Sequence, residues 1–152
     1  MTEFCIVEFY FSGKPFYLIW CTDDNDYFFT NENSVVHFRQ RNSVEKYCKE
    51  QAFDEPSFVS FDFDDIDYNN CNDYLNKWNI IDDLSKSLKI DFIGNHDEYT
   101  DLYSKFVYGS NIPALNTSGK KYVPTFTDEE REQIENLKHD MTRILKIALG
   151  LN

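Results

Sequence analysis

The chain is poor in the residues from which most active sites are assembled. It has 152 residues but only three His, five Gly and four Pro. His37, His96 and His139 fall on three separate segments, and no two stand four apart in the spacing that ligates a metal from one helix face. So few glycines leave little scope for the close backbone approaches of cofactor sites, and no glycine-rich loop is present to cradle phosphate. A GxSxG elbow is absent as well. Cys5, Cys21, Cys48 and Cys71 make no CxxC pair, which argues against zinc, and each sits in an apolar pattern where a thiol behaves as a small hydrophobe. None has the electropositive surroundings that activate a thiolate. Apolar runs stay well below the roughly eighteen residues of a membrane span. Glu3 and Glu8 break the first of them, and no positive segment precedes it, so no signal peptide is expected. These absences predict a reduced, cytoplasmic protein that holds no metal or cofactor and is not an enzyme.

Positive charge is also scarce. Fifteen Lys and Arg stand against 27 Asp and Glu, a net charge of −12. No basic stripe exists to neutralise phosphates, which disfavours direct binding to nucleic acid. Asp54 to Asp101 alone carries thirteen acidic residues against three Lys, so nearly all of the excess lies in the middle third. Such a face can simply aid solubility, or it can steer a basic partner. Aromatic residues are plentiful, with ten Tyr and fourteen Phe. That many rings cannot all be central core, and surface rings beside charges are typical of protein interfaces.

Order is expected in spite of the charge, because 41% of the chain is hydrophobic. Glu3–Phe11 and Pro15–Cys21, joined by Ser12-Gly13-Lys14, are apolar on both alternating faces, which predicts a central β-hairpin. A third strand is expected at Tyr27–Thr30, and Val35–Phe38 suits a short one. Asn42 with Glu45 suggests a helix start, with Val44, Tyr47, Cys48 and Ala52 as its apolar side. Phe58–Phe63 alternates, with Val59, Phe61 and Phe63 on one side. Cys71 to Lys89 is the organising stretch. Cys71, Tyr74, Leu75, Trp78, Ile81, Leu84 and Leu88 form a helical stripe roughly 28 Å long, with Asn72, Asp73, Lys77, Asp82 and Lys86 on the wet side. Asp91–Ile93 reads as a short extended piece, and Tyr99–Val107 as another helix. Ser110–Thr125 is a long loop, expected to be functional or pinned by its aromatics. Thr127 and Glu130 make a capping box for a last helix striped by Ile134, Leu137, Met141, Ile144, Leu145 and Ala148, which Gly150 stops.

The fold class predicted is α/β of the α+β kind. One domain spans residues 1–152, with an antiparallel-rich central sheet packed by the long central helix and the C-terminal helix. The candidate site is the acidic run ahead of that helix. The Asp62–Asp67 run lacks the Gly and Glu of a calcium-binding loop. Asp64, Asp65 and Asp67 can serve merely to cap and solvate a loop. Alternatively they join Asp82, Asp83, Asp97, Glu98 and Asp101 in one acidic surface anchored by Tyr68, Tyr99 and Tyr103. Trp20 and Trp78 are assigned to the core.

The C-terminal half resembles a family of bacterial immunity proteins that accompany polymorphic toxins, notably those of contact-dependent growth inhibition. The residues that carry the likeness are Trp78-Asn79, Asp83-Leu84, Lys105-Phe106, Gly109, Asn111, Pro113-Ala114-Leu115 and Pro124-Thr125-Phe126-Thr127, within residues 58–149. The resemblance implies an antitoxin that binds one cognate toxin C-terminal domain and occludes it stoichiometrically, as a monomer in a 1:1 complex, without membrane or nucleic acid. Many such toxins are basic nucleases acting on RNA, tRNA or DNA, for which an acidic inhibitor is the complement. On charge and exposure, the toxin-binding residues are expected to be Asp62, Asp64, Asp65, Asp67, Tyr68, Asp82, Asp97, Glu98, Tyr99 and Asp101. Two rival readings are a small carboxylate/His hydrolase and an acidic adaptor with another basic partner.

Overall fold

The computed structural model describes residues 1–151. Strands β1 (Glu3–Phe11) and β2 (Lys14–Thr22) form the expected hairpin, paired antiparallel along their whole length. Ser12 and Gly13 both take positive φ, 54° and 72°, as a two-residue turn of the primed type demands. On the outer side of β2, β3 (Asp26–Phe28) pairs with its C-terminal end and β6 (His37–Phe38) with its middle, at Tyr17 and Leu18. Between them, β4 (Thr30–Asn31) and β5 (Ser34–Val35) close a separate small ladder. The expected third strand therefore breaks at Phe29, whose N–H reaches back to the Ile19 carbonyl. On the other side, β7 (Ser57–Asp62) runs parallel to β1. The sheet is thus mostly antiparallel with one parallel edge.

Both faces of the hairpin are covered, as its doubly apolar pattern requires. Ile6, Tyr17, Ile19 and Cys21 pack on α1 (Arg41–Glu50) through Val44 and Cys48. Val7, Phe9, Phe16 and Leu18 face α2 (Cys71–Leu88) and α4 (Asp128–Ala148) in the larger core, where Tyr74, Trp78, Ile81, Leu84, Leu137 and Met141 meet. The fold is a single α+β domain of three layers: α1, the sheet, and α2 with α3 (Thr100–Gly109) and α4.

Four local expectations change. Helix α1 starts at Arg41 after Gln40, with no side-chain cap, because β6 ends only two residues earlier; Asn42 lies inside the first turn. Ala52 is exposed at φ 57°, in the left-handed turn that ends α1, and does not join its apolar side. Asp91–Ile93 is not a strand; two 3-10 turns, Ile93–Asn95 and Asp97–Tyr99, lead into α3. Lys77, assigned to the wet side of α2, is buried at 2% exposure. Its ammonium donates to Asp73 at 2.7 Å and to the Asp65 carbonyl at 2.7 Å, which satisfies the charge and ties the acidic loop to the helix.

The C-terminal signals hold. Thr127 and Glu130 complete the capping box, and Gly150, at φ 68°, closes α4. The long loop from Ser110 to Thr125 is pinned by asparagines instead of aromatics. The Asn111 carboxamide oxygen accepts from the Tyr122 N–H and from Asn116, whose amide also donates to the Lys120 carbonyl. Gly109 packs so closely that a Cβ there would come within 2.6 Å of the Cys71 sulfur.

Candidate functional site

The expected acidic residues do not share one surface but divide among four places. Asp62 and Asp67 fold their own loop, accepting from the N–H groups of Asp64 and Asn69. Asp64 does more: its two oxygens accept from the Ser12 and Gly13 N–H groups at 2.7 and 2.8 Å, clamping the β1–β2 turn. Asp65 is exposed above Lys77. At this end of the molecule the carboxylates therefore build structure and keep their charge, for none has a cationic side chain within ion-pair distance.

Asp97 and Glu98 lie exposed on the turn before α3, where Glu98 is 3.4 Å from His96. Asp101 faces elsewhere, into a hollow of about 510 Å³ between α3 and the long loop, beside Lys105, Tyr108, Lys120 and Tyr122. Two expected aromatic anchors are corrected. Tyr99 is 6% exposed and packs edge-on to Trp78, because the 3-10 turn carries its ring inward. Tyr68 is half-buried against the edge of Phe126. Neither ring is free to anchor a partner without repacking.

Asp82 lies in the most enclosed acidic setting. A cleft of about 590 Å³ opens between α2 and the sheet at the end where β7 begins. Its floor is Cys5, Trp20, Val59, Phe61 and Ile80, and its rim is Asp26, Asn76, Asn79, Asp82, Asp83 and Tyr103. A smaller hollow of about 250 Å³ shares Asn79, Asp82 and Tyr103 and continues to His96 and Thr100. Tyr103 donates to Asn79 at 2.8 Å between the two.

This cleft is electrostatically unbalanced. One oxygen of Asp82 accepts from Lys86 at 3.0 Å, while the other is buried without a partner. The second such atom among the described residues is Trp20 Nε1, also in the cleft wall. Trp20 packs against the core as expected but is only partly buried, at its margin. Leaving a buried polar atom unpaired typically costs about 1–3 kcal/mol. Asp83 is pushed up to about 6, by burial first and then by Asp26 and Asp82; Lys86 and the Trp20 indole act in the opposite direction without offsetting them. Asp26, Asn76, Asn79, Asp83 and Tyr103 stand outside the toxin-binding set drawn from the sequence. The Asp82-Asp83 pair was visible there, but only pairing along the sheet brings Asp26 beside it.

The groups a hydrolase needs are dispersed. His37 is on β6, with Nδ1 3.2 Å from the Val35 carbonyl, and His139 is exposed on α4. His96 lies 2.9 Å from Asp91 at the surface, and that hydrogen bond above all raises its pKa. Burial pushes the Cys21 thiol up to about 11 and raises Cys48 and Cys71 too, which makes them poor nucleophiles. Among the described residues no three His, Cys, Asp or Glu converge to hold a metal ion, and no helix is long and apolar enough to cross a membrane. Comparison with known proteins finds no matching family, no similar curated protein and no similar solved structure.

Proposed function

We propose that the protein is an immunity protein of the contact-dependent growth inhibition type, which binds a basic toxin domain of the nuclease class and neutralises it by occupying its surface without turnover. One observation carries this reading: the acidic residues, though spread over several places, are left largely uncompensated. Of Asp62, Asp64, Asp65, Asp67, Asp82, Asp97, Glu98 and Asp101, only Asp82 and Glu98 have a cationic group within 4.0 Å, Lys86 and His96 respectively. Carboxylates that satisfy themselves on backbone N–H groups remain full negative charges toward a partner. Net charge of this kind steers association and raises on-rates by about 10–10³-fold at low salt. The motifs of the resemblance support the reading as scaffold: Trp78 is core, and Gly109 sits in tight contact with Cys71.

The test is to co-express the protein with the C-terminal domain encoded immediately upstream, purify the pair and titrate them by calorimetry at low and high salt. A tight 1:1 complex that weakens with salt is expected. Tight binding indifferent to salt would retain the inhibitor and refute the role of the acidic residues. No complex overturns the proposal.

A further inference from the structure

We propose that the cleft between α2 and the sheet is the seat for one lysine or arginine side chain of a polypeptide partner, held against Asp82 and Asp83. The cleft, not the acidic loop, has the form of a receptor. Its floor is apolar (Trp20, Val59, Phe61), which suits the methylene stem of a long cationic side chain. Three carboxylates, Asp26, Asp82 and Asp83, meet at its rim, and Lys86 pairs with one oxygen of one of them. A guanidinium or ammonium brings the charge that the rim lacks.

The sheet edge selects a polypeptide over a free polyamine or a metal ion. Beside the cleft, β7 is the open edge of the sheet. Phe63 turns its N–H inward to Tyr10, so by alternation Phe58, Ser60 and Asp62 turn theirs outward, where they have no partner among the described residues. The opposite edge is blunted, because the Phe28 N–H donates to Ser87 on α2. An extended partner segment can therefore bond along β7 while its side chain enters the cleft.

The proposal takes its partner class from the inhibitor reading, but its test needs no toxin. The probe is N-acetyl-arginine methylamide, with the citrulline analogue as an uncharged match of the same shape. The chain has two Trp, so two indole N–H signals are followed by NMR, assigned with Trp20→Phe. The arginine probe is expected to move the Trp20 signal saturably, with an affinity of roughly millimolar, and the citrulline probe about tenfold more weakly. Asp82→Asn and Asp83→Asn should each reduce the arginine response several-fold while the Trp78 signal reports an intact core. Equal responses to both probes, no saturable response, or undiminished binding by both variants overturns the seat. Arginine binding without a toxin complex would retain the seat and refute the inhibitor; a toxin complex indifferent to both substitutions would do the reverse.

Discussion

Replacing Asp83 by Asn should stabilise the protein at neutral pH. The Asp83 side chain has only the loose approach of the Trp20 indole to lose, the backbone carbonyl being the group that accepts from Ser87, so the substitution removes charge and little else. Its pKa rises from 3.8 to about 6 on folding, because burial and the carboxylates of Asp26 and Asp82 disfavour the ionised form. A raised carboxylate favours folding fully below its unfolded pKa and loses that contribution as pH climbs through about 6. At roughly 1.4 kcal/mol per unit the full difference is about 3 kcal/mol, and solvent reaching the rim reduces it to about 1–2 kcal/mol. The Asn variant escapes this loss. Its advantage over the parent should be near zero at about pH 4, grow through about pH 6, and reach about 1–2 kcal/mol above pH 7. For a chain of this length that corresponds to roughly 2–8 °C in Tm. Urea unfolding at a series of pH values measures it, with an unchanged m-value showing that only stability moved. A variant less stable than the parent at pH 8, or a gain equal at both ends of the range, would refute the reasoning. The same charge that weakens the free protein is the one assigned to cation binding, the trade expected where a site is kept ready for a partner.

Asp64→Ala removes the clamp on the hairpin turn and should cost about 1–2 kcal/mol, read as a lower urea midpoint. Asp67→Ala, which loses a single local bond, should cost less, so loss of toxin binding in a variant containing Asp64→Ala must be checked against folding. Lys89 ends α2 in the left-handed region at φ 58°. Lys89→Gly should therefore raise stability by about 1 kcal/mol, and a loss would show that the Lys side chain contributes more than its backbone strain costs. His96 should titrate above the ordinary histidine value through its bond to Asp91. Asp91→Asn should return it downward, as followed by the ring proton shifts.

What the sequence alone settles is whatever depends on neighbours in the chain. Periodicity placed β1, β2, β7, α2 and α4, since a stripe of apolar residues at a step of two or of three to four must be buried by any fold the chain adopts. Capping was equally local, with Thr127, Glu130 and Gly150 each acting within one turn of helix. The expected acidic residues were easily seen as charges, but not as structure. That Asp64 would clamp a turn some fifty residues away, or that Lys77 would be drawn inside by the Asp65 carbonyl, depends on which segments meet. Tyr99 left its expected surface role for the same reason, because burial of a ring depends on what packs over it. The cleft is wholly a tertiary product. Asp26, Asp83, Trp20 and the β7 edge are remote in sequence, and only the crossing of α2 over the sheet brings their charges, their unpaired polar atoms and their apolar floor into one place.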